Sequence, residues 1–217
     1  MANEKHKIFI SYHHANDQWA KQQLLQMSYW YDIFIDASVD IGDISDDLTD
    51  DSIRRKIRDE YLRDSTVTIL LVGTETKHRK HVLWELYSSM IDGSMNKKSG
   101  LLIVELPSAH NGSFHISRVE EKSVMFSEVS GWRNVTDRSE YERLHPYQPE
   151  LVIDNLVTGK GRFSIVPWAK IENNPEALRL LINGAFRDRQ LAEYDLSRPM
   201  RERNYNPSVA LRLLYGT

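Results

Sequence analysis

Short apolar runs alternate with stretches of helical periodicity along the first half of the chain. Four apolar runs predict buried strands, at residues 7–12, 31–36, 66–72 and 100–106. Between them, apolar side chains recur every three to four residues, which predicts helices over residues 17–29, 49–64 and 82–93. Strands that alternate with helices form parallel βαβ units, and right-handed crossovers wind these units into one sheet. The pattern therefore predicts an α/β fold with a doubly wound, mostly parallel sheet and helices on both faces.

The pattern weakens after Pro107. Residues 124–129 favour a short strand, residues 132–149 are expected to be irregular, and a helix is expected from Asn174 or Pro175 to about residue 192. We therefore divide the chain at residue 130. Residues 1–130 are predicted to form the α/β domain, and residues 131–217 to form a C-terminal extension packed on the same domain. An independent C-terminal module is the alternative.

The loops that follow the predicted strands contain most of the candidate chemistry. In doubly wound sheets, ligands bind outside the carboxyl ends of the strands, where the strand order reverses. The loops at residues 11–14, 36–42 and 73–85 should meet at that edge. Glu85 is the leading candidate, because one carboxylate beside a sugar can stabilise the oxocarbenium-like transition state of glycosidic bond cleavage.

The composition of the chain disfavours several classes of binding partner. The chain has 217 residues, 41% of them hydrophobic, with a net charge of −3 and dispersed basic residues, which disfavours nucleic acid as the main partner. The absence of cysteine excludes disulfides and thiolate chemistry. The polar start and the lack of any apolar run near 18 residues indicate neither a signal peptide nor a membrane span. A cytoplasmic protein without a membrane partner is expected.

Familiar cofactor and metal motifs are missing from the sequence. Gly73 lies in a loop without a GxGxxG or GxxxxGK[ST] pattern, which disfavours Rossmann-type and P-loop sites. The pairs His13–His14 and His78–His81 lack the spacing of HxxxH or HExxH zinc ligands. We therefore expect no metal and no bound cofactor.

Three motifs occur in order along the first 105 residues. A strand ends in Ser11 and Tyr12 with an acid at Asp17; FIDAS follows at residues 34–38; and GTET at residues 73–76 precedes a basic residue and an aromatic–Glu pair. Together they resemble the TIR-like family of bacterial Thoeris antiphage proteins, which belongs to the TIR superfamily and has a flavodoxin-like fold. The resemblance covers about half of the chain.

This resemblance implies that the protein consumes NAD⁺ as a substrate. The bond between nicotinamide and ribose would be cleaved, and the ADP-ribose part cyclised or otherwise converted into a signal for a product-sensing effector protein. Glu85, in its ionised form, would be the catalytic residue. Self-association would be compatible with a composite site. The residues implied for substrate binding are Ser11, Tyr12, His13, Asp36, Thr74, Arg79 and Trp84.

One motif departs from the usual family pattern. Many catalytic TIR domains have Trp three residues before the Glu, whereas this chain has Val82 there and Trp84 next to Glu85. The alternative for Glu85 is a solvated helix acid paired with Arg79 or Lys80.

Three other functions stay open at this point. A non-catalytic TIR-like adaptor could act through the acidic loop at residues 37–47, which would attract a basic partner surface. A receiver-type regulator could use Asp36 as a phosphoacceptor, but it needs an acid pair after the first strand, where Ser11 and Tyr12 stand. A flavodoxin needs a phosphate-binding loop after the first strand, and the segment that begins at His13 matches such a loop poorly.

Overall fold

A five-stranded parallel sheet forms the centre of the molecule, in a computed structural model that describes residues 5–38, 52, 55–93 and 96–200. Its strands are β1 Lys7–Ser11, β2 Ile35–Asp36, β3 Val67–Val72, β4 Gly100–Glu105 and β5 Ser164–Pro167. They lie in the order β2-β1-β3-β4-β5. With helices around an all-parallel sheet, the predicted α/β, flavodoxin-like fold is confirmed.

Within the described residues, six α-helices surround this sheet. They are α1 His14–Tyr31, α2 Lys80–Met90, α3 Val119–Met125, α4 Arg138–Leu144, α5 Glu150–Thr158 and α6 Pro175–Asp188. A π-helical turn spans Ile57–Tyr61, and 3₁₀ turns span Thr76–His78 and Trp168–Lys170. No helix within these described residues is both long enough and apolar enough to cross a membrane.

The two faces of the sheet have separate cores. Helices α1 and α6 pack with Ile8 and Ile10 on one face, whereas α2 and α5 pack with Phe9 and Ile103 on the other. Successive side chains of a strand point to opposite faces, so a residue two positions beyond another shares its face. Ser11 therefore points to the same face as Phe9, below α2.

The order in which successive strands are placed in the sheet reverses at β1. Strand β2 pairs with one side of β1, and β3 pairs with the other. The crevice at the switch point consequently opens between the loops that follow β1 and β3.

Three predicted elements in the first 130 residues are corrected. Helix α1 begins at His14, inside the predicted loop, and continues to Tyr31. Asp32 then ends it in a left-handed conformation, with φ of 54°, which leaves only Ile35–Asp36 for the predicted second strand. The strand predicted at residues 124–129 is wrong: this segment overlaps α3, whose first turn contains two acids that suit the positive end of a helix.

The second half of the chain contains more regular structure than its pattern predicts. Residues 132–149, expected to be irregular, include α4, where the Asp137 side chain caps the helix by accepting from the Glu140 amide at 3.0 Å. Strand β5 and helix α5 were not predicted; β5 pairs with β4 and so joins residues from the predicted extension to the central sheet. The helix at Pro175 is confirmed, with Asn174 as its cap.

Some expectations lie outside the described residues. They concern the acidic loop beyond Ser38 and the predicted helix start at Thr49. The division of the chain at residue 130 stays a prediction.

Candidate active site

Glu85 lies on α2 with its carboxyl group turned to the end of β1. All residues from Val82 to Met90 are buried, because α2 is covered on every side. The side chain of Ser11 donates a hydrogen bond of 2.5 Å to Glu85 Oε2. Only 5% of Glu85 is exposed. The carboxyl is therefore held at the carboxyl end of β1, as the sequence predicts, but it is covered.

Burial dominates the electrostatics of this carboxyl. It raises the pKa of Glu85 to about 8, against the opposing effects of the Ser11 hydrogen bond and the charge of Lys21. At neutral pH this conformation therefore favours the protonated acid, whereas the sequence analysis expects an ionised group. Lys21, on α1, was not singled out from the sequence, where nothing distinguishes it from other surface lysines.

A seam of hydroxyl groups behind Glu85 fixes α2 against the sheet. Ser89 donates a 2.8 Å hydrogen bond to the backbone carbonyl of Glu85, and its hydroxyl also lies 2.8 Å from that of Thr68 on β3. Buried hydrogen bonds of this kind fix the rotation of a helix about its own axis. The seam thus keeps Glu85 facing Ser11.

The loop after β1 contains two of the predicted substrate-binding residues. Tyr12 is buried; its hydroxyl donates to Gln18 at 2.5 Å, and its ring stacks on His14. The carbonyl of His13 accepts from the Asp17 amide at 2.9 Å and so starts α1. Burial and the nearby charge of Arg79 lower the pKa of His13, which favours its neutral form.

The loop after β3 closes on the first turn of α1. A Cβ atom at Gly73 would lie 2.6 Å from Asp17 Oδ2, so only glycine fits here without displacing that carboxylate. Burial raises the pKa of Asp17, and a hydrogen bond from Thr76 opposes the shift. Arg79 donates to Glu75 at 3.3 Å, and Thr74 is partly exposed on the turn.

Three buried polar atoms near this junction have no hydrogen-bond partner within the described residues: His13 Nδ1, Asp17 Oδ2 and Arg79 Nε. Buried polar atoms are paired in most folded proteins, so each exception calls for an explanation. Their place, on the two loops at the switch point, is where a polar ligand or water would satisfy them.

Asp36 lies at an edge of the sheet, and Trp84 lies in the core. Asp36 is exposed on the edge strand, and its carboxylate accepts a hydrogen bond from the Ser38 amide at 2.9 Å, which caps the turn that follows. Trp84 is 2% exposed and shares the core below α2 with Val82, while Lys80 Nζ lies 4.9 Å from its ring centre. The shifted tryptophan of the motif thus packs in the core beside the site.

A second buried acid, Glu105, was missed. It ends β4 and accepts hydrogen bonds from three side chains: His145 Nδ1 at 2.9 Å, Gln148 Nε2 at 3.0 Å and His110 Nδ1 at 3.2 Å. A charged residue in the otherwise apolar run at residues 100–106 was the available signal. Within the part of the chain that the structure describes, no group of three or more His, Asp or Glu side chains is arranged to hold a metal ion.

Three features together define a TIR-like α/β domain. They are the parallel sheet, the two loops at its switch point and the Ser11–Glu85 contact. Residues 9–111, just under half of the chain, match the family model of the Thoeris protein ThsB, TIR-like domain. The match supports a TIR protein of antiphage defence. It ends after β4, so β5 and helices α3 to α6 lie beyond it. No curated protein matches the chain significantly.

Proposed function

We propose that this protein cleaves NAD⁺ between nicotinamide and ribose, with Glu85 as the catalytic residue. The product would be an ADP-ribose-derived signalling nucleotide, cyclic in form, that activates a partner effector protein. The observation that carries the proposal is the buried Glu85 carboxyl, bonded to Ser11 at the switch point of a TIR-like sheet. The unpaired polar atoms of His13, Asp17 and Arg79 support a ligand-binding role for the same edge.

The chemistry needs few groups. Nicotinamide leaves as a neutral base, so no strong general acid is required. The ribose develops oxocarbenium character, which a carboxylate at Glu85 would stabilise. Ser11, which donates to Oε2, is suited to orient that carboxylate. A covered site excludes water and so favours attack by another group of the same nucleotide, which is why a cyclic product is proposed.

Because the pKa of Glu85 is raised, substrate binding would also change the ionisation of this carboxyl group. A positive charge close to a carboxyl favours its ionised form. The cationic nicotinamide ring of NAD⁺ would therefore lower the pKa of Glu85 from about 8 as it enters, and the ionised carboxylate would appear together with the substrate. The free protein would rest with the acid protonated and covered.

Nicotinamide release from NAD⁺, measured by liquid chromatography, tests the proposal. Wild type and Glu85→Gln are compared between pH 7 and pH 9, with and without lysate of phage-infected cells. We expect release by wild type that increases with pH, and none by Glu85→Gln. The matched control, Glu60→Gln, changes an exposed acid on the π-helical turn and should act as wild type. Equal release by Glu85→Gln would remove Glu85 from the mechanism.

A non-catalytic adaptor is the second candidate. The observation in its favour is that Glu85 is only 5% exposed and favours the protonated form. An adaptor would release no nicotinamide under any of these conditions and would form a stable complex with a partner protein. Release by wild type alone excludes it.

A further inference from the structure

Two adjoining clefts are lined by residues of α3, α4 and α5 and of the loops around these helices. The larger has a volume of about 590 Å³, which falls in the range of small-molecule sites, and the smaller of about 260 Å³. We call the two clefts together the groove, because they share six lining residues: His115, Ile116, Lys122, Asn134, Val135 and Tyr141. Neither cleft is lined by Ser11 or Glu85.

The charged side chains that line the groove are all basic within the part of the chain that the structure describes. They are Lys122, Arg133 and Arg162. Arg133 is paired with Glu140, which is not a lining residue. The side chains of Lys122 and Arg162 have no ion-pair partner among the described residues. The groove therefore carries positive charge that no carboxylate lining it neutralises.

Lys122 is held where the two clefts meet. Its Nζ lies 4.5 Å from the ring centre of Trp132, and that ring makes edge contacts with Phe114 and Phe126. A contact between a cation and an aromatic ring positions the ammonium group without bringing a counter-charge. The charge of Lys122 is consequently available to an anion in the groove.

The ionisation of His115 agrees with a positive groove. Burial, followed by the neighbouring His145 and Lys122, lowers the pKa of His115 to about 4. Among the described residues, no acid acts on its pKa in the opposite direction. His115 is thus a neutral ring at pH 7, close to the ammonium group of Lys122.

The floor of the larger cleft is apolar. Four side chains that are each at most 5% exposed contribute to it: Ile116, Tyr141, Leu156 and Phe163. The hydroxyl of Tyr141 is already used, since it donates to the Val135 carbonyl at 2.6 Å. The ring of His115 lies edge-on to that of Tyr141, with 6.1 Å between the ring centres. Aromatic and apolar walls of this kind suit an uncharged planar ring.

We propose that this groove binds a nucleoside monophosphate. The phosphate would lie against Lys122 and Arg162, since arginine and lysine are the side chains that match phosphate oxygens. The base would lie on the apolar floor beside His115, where the exposed amide of Asn134 can both donate and accept. The site is separate from Glu85 and does not depend on NAD⁺ cleavage.

Calorimetric titration with adenosine 5′-monophosphate, adenosine and inorganic phosphate tests the groove in the full chain. The nucleotide should bind wild type roughly tenfold more tightly than either fragment. Lys122→Gln and Arg162→Gln should each weaken its binding roughly tenfold, because each removes one charged contact to the phosphate. The matched control, Lys7→Gln, changes an exposed lysine on β1, two strands away from β5, and should bind as wild type does.

The imidazole of His115 gives a second measurement inside the groove. A phosphate against Lys122 would offset the positive charge that acts on His115, so the pKa of His115 should rise when the nucleotide binds. Adenosine lacks this charge and should raise the pKa less. Ring proton NMR shifts across a pH titration measure both. An unchanged pKa with the nucleotide bound would place the ligand outside the groove and overturn the proposal.

Three calorimetric outcomes would also overturn it. Equal affinity for inorganic phosphate would show recognition of charge alone, and wild-type affinity in both Lys122→Gln and Arg162→Gln would place the nucleotide elsewhere. The absence of binding by any probe would leave the groove without this function. Thermal melts check that the variants fold, which is expected because Arg162 is exposed and Lys122 is partly exposed. Since binding is measured at residues that take no part in the proposed NAD⁺ cleavage, failure here is distinct from failure of that proposal.

Discussion

Two buried glutamates point to the same face of the sheet, and they are held very differently. Glu105, at the end of β4, accepts hydrogen bonds from His145, Gln148 and His110. Glu85, below the end of β1, accepts one side-chain hydrogen bond within the described residues, from Ser11. Burial of a carboxylate is costly unless donors replace the lost water.

The difference separates an anchor from a reactive group. Three donors can satisfy Glu105, and its bonds tie the end of β4 to the connection between α4 and α5. Burial of Glu85 is incompletely compensated, so its pKa rises to about 8. Carboxyl groups shifted by burial beside a ligand-binding edge are typical of functional sites.

Turnover should separate the two acids most clearly. We expect Glu85→Gln to lower the rate of NAD⁺ cleavage by roughly a thousandfold, about 4 kcal/mol of transition-state stabilisation, since the amide cannot carry the charge that faces the oxocarbenium ion. Glu105→Ala should retain the wild-type rate per folded molecule. Nicotinamide release, normalised to the folded fraction, measures both. A similar loss in the two variants would end the contrast.

The free energy of unfolding should depend more on Glu105 than on Glu85. Removing the side chain in Glu105→Ala leaves the buried donors of His145 and Gln148 unpaired, together with the partly exposed His110, and should cost about 3 kcal/mol of unfolding free energy or more. Glu120→Ala, which changes an exposed acid on α3, should stay within about 0.5 kcal/mol of wild type. Urea denaturation at pH 7 measures both. A loss below about 1 kcal/mol in Glu105→Ala would mean that Glu105 is no anchor.

The pH dependence of stability should reveal Glu85. Between the ordinary pKa of a glutamate and about 8, the folded protein binds more protons at this site than the unfolded chain does, so stability falls as pH rises. Wild type should lose roughly 3 kcal/mol between pH 5 and pH 8 relative to Glu85→Gln, within the limit of about 1.4 kcal/mol per pH unit. The difference between the two denaturation series cancels the groups that they share. Parallel curves would place the pKa of Glu85 near its ordinary value.

The Ser11 hydroxyl should have the smallest effect. It donates to the carboxyl group and opposes the effect of burial on the pKa of Glu85. Ser11→Ala should therefore raise that pKa further. Carboxyl carbon NMR shifts of Glu85 across a pH titration measure it, with Ser123→Ala, at an exposed hydroxyl on α3, as control. A lowered pKa would contradict the account of the site.

The sequence predicts the central strands well, for a physical reason. In β3 and β4 every residue is buried, so continuous apolar runs mark both strands. Strand β5 has only four residues and ends at a proline, which is too short for any periodicity to show. Strand β2 is shorter than predicted because α1 continues to Tyr31, where the predicted strand begins, and Asp32 then ends the helix in a left-handed conformation.

Prediction of the site has a similar limit. The ordered motifs predict that the loops after β1 and β3 lie at the same edge of the sheet. The structure shows Ser11 in contact with Glu85 there. The motifs do not reveal that α2 is covered on all sides, and this tertiary packing, not local sequence, raises the pKa of Glu85. The Glu105 cluster joins β4 to residues about 40 positions later in a segment without recognisable pattern. Local sequence patterns therefore could not predict the Glu105 cluster.

Mass spectrometry of nucleotides from phage-infected cells tests the central claim most directly. Cells that produce wild type are compared with cells that produce Glu85→Gln at equal protein levels. We predict that an ADP-ribose-derived nucleotide accumulates after infection, together with nicotinamide, in wild-type cells alone. The same nucleotide in both strains, or in neither under infection that triggers defence, would contradict catalysis by Glu85.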